Sequence, residues 1–130
     1  MTRAVLDAGA LIALERNDRA LWAVLKLAAL DASDVLVPSA ALAQVWRGTR
    51  SQALLSKALR HCVLASFDAV ARAVGELCGR TKTADVCDAQ VAIVAATLGD
   101  VLYTSDPRDM RRLVDAYVAP GSRVPLILRC

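Results

Sequence analysis

Short apolar runs recur along the chain, separated by longer stretches in which apolar and polar residues alternate with a helical period. The runs lie at residues 4–6, 35–37, 62–65, 101–104 and 124–128. Most of them have no polar position inside, which is typical of strands buried on both faces of a parallel sheet. The pattern therefore predicts four strands and a possible fifth at the end of the chain.

The stretches between these runs predict helices. Ser39 is expected to cap one of them, and Gly48, Gly79 and Gly99 are expected to end helices. The predicted helices cover residues 10–16, 19–30, 39–46, 51–60, 68–78, 85–98 and 107–115. Strands that alternate with helices favour an α/β fold, with a parallel sheet of four or five strands flanked by helices. We expect residues 1–130 to form a single domain.

Composition limits the classes of protein to consider. Hydrophobic residues make up 56% of the 130 residues and aromatic residues only 4%, so the predicted core consists of Ala, Val and Leu. No apolar stretch reaches the roughly 20 residues that a membrane-spanning helix needs. Asp7 interrupts the apolar N-terminal stretch, which argues against a signal peptide. We expect a cytoplasmic protein that has no membrane partner.

Cysteine spacing and charge narrow the choice further. The four cysteines form no CxxC pair and the chain has one histidine, so a zinc site is not expected and the thiols are predicted to be reduced. The net charge is +3, and Arg outnumbers Lys among the basic residues. Because Arg makes bidentate contacts to phosphate, this composition permits a nucleic-acid partner without demonstrating one.

Acidic residues stand where two predicted strands end. Asp7 follows the first strand, and Asp106 follows the fourth. In open α/β sheets, ligands bind beyond the carboxyl ends of the strands, where the strand order reverses. The two carboxylates are therefore expected to converge if these strands are neighbours.

A predicted helix that leads into the fourth strand carries further acids near its start. Asp85 and Asp88 are three residues apart on one face of that helix, and Asp109 follows Asp106 at the same spacing. Two carboxylates about 4 Å apart repel by about 1 kcal/mol in water and about 4 kcal/mol at an effective dielectric of about 20. A cation would offset this repulsion, and oxygen-only ligands favour Mg²⁺ or Mn²⁺.

Each acid also has a simpler interpretation. Asp106 precedes a proline and is suited to cap a helix. Asp85 and Asp88 suit the positive end of a helix dipole. Asp7 is harder to explain in this way, because an isolated charge in a buried segment is costly. The interpretation as a metal site therefore depends on the combination of acids.

Three segments together resemble the PIN-domain ribonucleases, and specifically the VapC toxins of bacterial toxin–antitoxin pairs. They are Val-Leu-Asp-Ala-Gly-Ala-Leu-Ile-Ala-Leu at 5–14, Thr-Ala-Asp-Val-Cys-Asp-Ala at 83–89 and Val-Leu-Tyr-Thr-Ser-Asp-Pro-Arg-Asp at 101–109. Any one of these motifs is weak, whereas their order and spacing are specific and span nearly the whole chain. The resemblance implies a PIN-like three-layer fold.

The resemblance also implies an activity and a set of site residues. It implies a Mg²⁺- or Mn²⁺-dependent endoribonuclease that cleaves RNA, such as tRNA or rRNA, is inhibited by a VapB-like antitoxin and forms a homodimer. Asp7, Asp88 and Asp106 match the metal-binding acids of the family, while Asp85, Thr104 and Asp109 match supporting positions.

One position departs from the family pattern. The helix after the second strand usually carries a glutamate, and Gln44 occupies that position here. An amide oxygen can orient a water molecule, but it adds no negative charge and cannot act as a base. Glu15 and Glu76 lie in other helices with no evident path to the site. We expect weaker metal binding and reduced activity.

Several basic and aromatic residues have both a functional and a simpler structural interpretation. Arg80, Lys82, Arg108, Arg111 and Arg112 are candidates to hold RNA phosphates, although each is also typical of a solvated helix face. Trp22 and Trp46 are expected in the core more often than at an interface. His61 is expected to cap the end of a helix.

Two rival functions remain open at this stage. The first is a PIN fold that binds RNA or an antitoxin without cutting, which the absent glutamate at Gln44 favours. The second is a phosphoacceptor domain of the receiver type, which also clusters acids at strand ends. That class pairs acids beside the first strand and needs a lysine beyond a later strand, and neither feature is present.

Overall fold

A computed structural model describes residues 2–130 and contains one five-stranded sheet. The strands lie in the order β3-β2-β1-β4-β5, and every neighbouring pair is parallel. Their bounds are β1 Ala4–Leu6, β2 Val35–Pro38, β3 Val63–Ala65, β4 Val101–Thr104 and β5 Leu126–Arg129. The predicted α/β class and parallel sheet are confirmed.

Seven α-helices flank the sheet within the described residues. They are α1 Ala8–Glu15, α2 Arg19–Leu30, α3 Ser39–Val45, α4 Ala53–Leu59, α5 Ala71–Thr81, α6 Val86–Leu98 and α7 Pro107–Tyr117. Two short 3-10 turns precede α4 and α5, at Arg50–Gln52 and Asp68–Val70. All seven predicted helices are present, with ends shifted by a few residues. In this part of the chain no helix is both long and apolar enough to cross a bilayer.

The core lies around β1 and α6. All three residues of β1 are buried, because the strand is in the middle of the sheet. Seven consecutive residues of α6, from Ala89 to Ala95, are also buried. A helix that is apolar on all sides must be surrounded, and α6 packs against α3, α5, α7, β1 and β2. The core is built mainly from Ala, Val and Leu, as composition predicts.

Four local predictions are wrong. Gly48 does not end a helix, because α3 ends at Val45 and its C-cap is Trp46, whose backbone is extended. Gly79 does not end a helix, since α5 continues to Thr81 and stops at Lys82, whose φ of 56° is left-handed. Ser39 does not cap α3, because its hydroxyl accepts a hydrogen bond from the Phe67 backbone N–H at 2.9 Å. The third strand is not buried: β3 is an edge strand, and Val63 and Leu64 are exposed.

The strand order reverses between β1 and β4. From β1 the chain adds β2 and then β3 on one side, and afterwards crosses to add β4 and β5 on the other side. Such a reversal opens a crevice at the carboxyl ends of the two central strands. Asp7 and Asp106 follow those two strands, so the expectation that these strands are neighbours is confirmed.

Candidate functional site

Asp7 lies at the carboxyl end of the central strand and is only 5% exposed. Its backbone N–H donates to the Tyr103 carbonyl at 3.2 Å, which ties it to β4. Its Oδ1 accepts from the Ala10 N–H at 2.9 Å and so caps α1. The other oxygen has no hydrogen-bond partner within residues 2–130 and is not enclosed. Asp7 is therefore a helix cap, a role that sequence reasoning did not assign to it, with one oxygen left to bind a ligand.

The turn after β4 holds Asp106 beside Asp7. The Thr104 side chain is fully buried, and its hydroxyl accepts from the Asp106 N–H at 3.0 Å. Asp106 Oδ1 in turn accepts from the Asp109 N–H at 3.2 Å and caps α7, as expected. Thr104 thus positions Asp106 through its backbone.

Gly9 allows this turn to approach α1 closely. A Cβ at position 9 would collide with the Ser105 side chain. On the outer side of the turn, the Arg129 guanidinium donates to the Ser105 carbonyl at 3.0 Å. The path of the chain between β4 and α7 is therefore held from both sides.

Asp85 and Asp88 bring a third helix start to the site. Asp85 Oδ1 accepts from the Asp88 N–H at 2.9 Å, so Asp85 caps α6. Burial raises the pKa of Asp88 to about 7, with further contributions from the charge and hydrogen bond of Asp85 and from the charges of Asp109 and Asp7. Each of the three motifs therefore has at least one acidic residue at or within electrostatic reach of Asp88.

The fit of this site to a divalent cation rests on its chemistry. No three carboxylate, imidazole or thiol groups converge within residues 2–130 closely enough to form a ready-made coordination shell. Mg²⁺ needs less than that, because it commonly binds through one or two carboxylates, retained waters and substrate phosphates. Burial is the main cause of the raised pKa of Asp88, and the charges of Asp85, Asp109 and Asp7 raise it further, which a bound cation would oppose. The donor set therefore fits a hard cation, with Asp7, Asp88 and Asp106 as candidate ligands.

Gln44 is exposed on α3 and lines a groove. The groove has a volume of about 450 Å³, and its lining includes Ala8, which follows Asp7 directly. Glu15 lines the same groove, whose lining contains none of the candidate metal-binding acids. Glu15 lies seven residues along α1 from Ala8, which is about 10 Å of helix. That separation is too long for Glu15 to share an ion with Asp7.

The five predicted phosphate-binding cations are all exposed, but they differ in their contacts. Arg112 pairs with Asp109 at 2.9 Å and also points toward the Thr81 carbonyl at 3.4 Å. Arg108 lines a shallow hollow beside Asp106, together with Asp109 and Arg112. Arg80, Lys82, Arg108 and Arg111 form no ion pair with any residue in 2–130. Arg112 is therefore the least available of the five.

The two tryptophans differ in their environments. Trp22 packs against the core and donates from Nε1 to the Leu14 carbonyl at 3.2 Å, as expected for a core residue. Trp46 is 40% exposed at the end of α3, so the expectation of a core position is wrong for it. His61 lies just after α4, and its backbone N–H donates to the Ala58 carbonyl at 3.0 Å.

The four cysteines are free thiols, as predicted. Burial raises the pKa of Cys62 to about 11. Burial, followed by the charges of Asp7 and Asp18, also raises the pKa of Cys130 to about 11. Thiols with such pKa values are protonated at neutral pH and are poor nucleophiles.

Two buried glutamines support the site and were not identified from the sequence. Gln90, two residues after Asp88, accepts from the Ala40 N–H at 2.9 Å and donates to the Ala65 carbonyl at 3.0 Å. It thereby joins α6 to the start of α3 and the end of β3. Gln52 is also buried and forms hydrogen bonds to the backbone of the segment after α3. Their partners are distant in sequence, so no local pattern marks these residues.

Comparison with known proteins gives a likeness at the level of fold. No family model matches the chain, and no curated protein is a significant sequence match. The fold is similar to a chain in the crystal structure of VapBC2 from Rickettsia felis bound to a DNA fragment from their promoter. The TM-score is 0.67 and the identity 16%, over 98% of this chain and 98% of that chain. This likeness confirms the predicted PIN-like fold.

Proposed function

We propose that this protein is a metal-dependent endoribonuclease of the VapC toxin type, neutralised by a VapB-like antitoxin. The observation that carries the proposal is the placement of Asp7 and Asp106 at the ends of neighbouring strands at the strand-order reversal, together with the charges of Asp7, Asp85 and Asp109 that act on Asp88. The full-length fold likeness to a chain of the VapBC2 structure supports the same class. The RNA substrate, the antitoxin and the homodimer are parts of this proposal.

In this proposal the chain's own residues have distinct tasks. Asp7, Asp88 and Asp106 bind Mg²⁺ or Mn²⁺. Asp85 and Asp109 add negative charge around the ion. Thr104 positions Asp106 through the backbone. Arg80, Lys82, Arg108 and Arg111 attract the RNA phosphates. When bound, a divalent ion supplies activation of water and stabilisation of the charge that develops on a phosphodiester.

An RNA-cleavage assay tests the activity. Wild-type protein is incubated with end-labelled total RNA and Mg²⁺ or Mn²⁺, beside Asp7→Asn and Asp88→Asn variants and a chelator control. We expect cleavage by the wild type that falls at least about a hundredfold in either variant, since loss of one charged group in such a site has effects of this size. Equal cleavage by the wild type and Asp7→Asn would rule out this active site.

A second function follows from Gln44, whose neutral side chain lines the groove beside Asp7. A PIN fold that lacks one carboxylate can bind RNA or an antitoxin without cutting. The Gln44→Glu variant separates the two functions. Restored cleavage in this variant, together with an inactive wild type, supports the binding module; cleavage by the wild type supports the enzyme.

A further inference from the structure

A groove between α1 and the segment after α3 has its own cations, Arg16 and Arg47. It is lined by Ala8, Ile12, Arg16, Gln44, Arg47 and Thr49, among others. Ala8 follows Asp7 directly, so the lining of the groove comes within one residue of a candidate metal-binding acid. None of the basic residues predicted from the sequence to hold RNA lies in its lining.

The positive charges in this groove are not neutralised by ion pairs within residues 2–130. Arg16 and Arg47 are exposed, and neither belongs to an ion pair with any residue in 2–130. One guanidinium N–H of Arg47 donates to the adjacent Trp46 carbonyl at 2.8 Å, which leaves the other N–H donors of the side chain available. Glu15 is the only acid in the lining, and one of its oxygens accepts from Gln52 at 2.8 Å.

An aromatic residue, which lies outside the lining of the groove, comes directly before one of these cations in the chain. Trp46 precedes Arg47, is 40% exposed and borders a second, apolar hollow with Leu42, Ala43 and Leu59. Basic residues interleaved with an exposed aromatic ring are the usual means of binding single-stranded nucleic acid. The cations track the backbone, and bases stack on the ring.

The segment that carries Trp46 and Arg47 is held in place before any ligand binds. Gln52 is buried, and its Oε1 accepts from the backbone N–H groups of Arg47 at 2.7 Å and Gly48 at 3.0 Å. Its Nε2 donates to the Val45 carbonyl at 2.9 Å. A pre-organised segment loses little conformational entropy on binding.

We propose that this groove binds the single-stranded RNA that leads into the active site, with Arg16 and Arg47 on the phosphates and Trp46 stacked on a base. The proposal rests on the proposed ribonuclease function and gives the substrate strand a path over the protein. It favours RNA over a protein segment, because the exposed ring and the unpaired arginines match a base and a phosphate.

The binding test separates this path from the function itself. An Asp7→Asn protein, which prevents cleavage, is titrated into a fluorescein-labelled single-stranded RNA of about 12 nucleotides at several salt concentrations. We expect Arg16→Ala and Arg47→Ala, each added to this parent, to weaken binding about three- to tenfold. Each should also lower the slope of log affinity against log salt by about 0.7.

Arg123→Ala in the same parent is the matched control, because it removes the same charge from an arginine that pairs with Asp100 outside the groove. Its binding should stay within about twofold of the parent. If the parent binds RNA and neither Arg16→Ala nor Arg47→Ala changes its affinity, the groove is not the RNA-binding site. That result would not contradict the proposed ribonuclease function. A parent that binds no RNA would overturn both.

Tryptophan fluorescence gives an independent readout. RNA should quench the emission of a Trp22→Phe protein, in which Trp46 alone reports, because base stacking brings the base onto the ring. RNA should leave a Trp46→Phe protein unquenched. Equal quenching of both proteins would contradict stacking on Trp46.

Discussion

Asp88 is the residue whose ionisation should affect the folded state most visibly. Its pKa is raised to about 7 from an ordinary value of 3.8, first by burial and then by Asp85, Asp109 and Asp7. Between these two pH values the folded protein holds a proton that the unfolded chain has released. Stability should therefore be full below about pH 4, fall as the pH rises, and reach its lower level above about pH 7.

The Asp88→Asn variant tests this dependence. We expect it to remove the fall in Tm between pH 4 and pH 7 and to raise the Tm at pH 8 by roughly 4 °C. That figure corresponds to about 1 kcal/mol after allowance for the side chain's partial exposure to solvent. Differential scanning calorimetry in the presence of a chelator measures it. A variant with the wild-type pH profile would show that Asp88 is not electrostatically strained.

Gly9 is a second residue that leads to a specific prediction, because its position leaves no room for a side chain. A side chain at this position collides with Ser105, whose turn holds Asp106. We expect Gly9→Ala to lower the free energy of unfolding by about 1–3 kcal/mol, as overpacking does. Denaturant unfolding measures the change.

Gly79→Ala is the matched control for that substitution. Gly79 lies inside α5, and a Cβ there meets nothing within 4 Å. Alanine is the better helix former, so the control should gain about 0.4–1 kcal/mol. If both variants were stabilised alike, the close approach between α1 and the turn after β4 would be wrong.

At the scale of elements, the glutamine on α6 fixes where α3 and β3 lie. Replacing Gln90 with Leu leaves the Ala40 N–H and the Ala65 carbonyl without the partners that they now have. We expect a loss of about 2–4 kcal/mol in the free energy of unfolding, since each unsatisfied buried group costs about 1–3 kcal/mol. Urea denaturation followed by circular dichroism measures this loss.

The comparable change on an exposed surface is Gln44→Leu, which should stay within about 0.5 kcal/mol of the wild type. Similar losses in both variants would mean that the bridge through Gln90 contributes nothing specific.

Elements were predicted well where burial alone decides them. The apolar runs of β1, β2 and β4 and the long apolar stretch of α6 are marked by composition, because these segments are enclosed. Gly79 misled the prediction because the helix continues past it and stops only where the backbone turns left-handed at Lys82. The exposure of β3 depends on the strand order, which local sequence does not encode.

The candidate site was likewise predicted only in part from the sequence. Strand ends placed Asp7 and Asp106 correctly, since the carboxyl ends of neighbouring parallel strands share one edge. The capping role of Asp7 was missed because residues 8–13 contain no polar residue that marks a helix start. Gln52 and the groove beside Gln44 depend on packing between α1 and α3, which only the folded chain brings together.

At the scale of the whole molecule, charge is unevenly distributed. The protein carries a net charge of +3, yet aspartates from three motifs lie near one another, since Asp7, Asp85 and Asp109 all act on Asp88. The acids come from positions between 7 and 109, so the site forms only when β1, α6, β4 and α7 are all in place. An acidic edge on a basic protein suits a bound cation beside a polyanionic substrate.

Calorimetric titration of Mn²⁺ into the protein without RNA tests the central claim most directly. The account predicts that the wild type binds the ion and that Asp7→Asn binds it at least about tenfold more weakly, because one ligand charge is lost. Arg112→Ala, which changes the charge nearby without removing a carboxylate, should retain binding. Equal Mn²⁺ affinities for the wild type and Asp7→Asn would contradict a metal site at the end of β1.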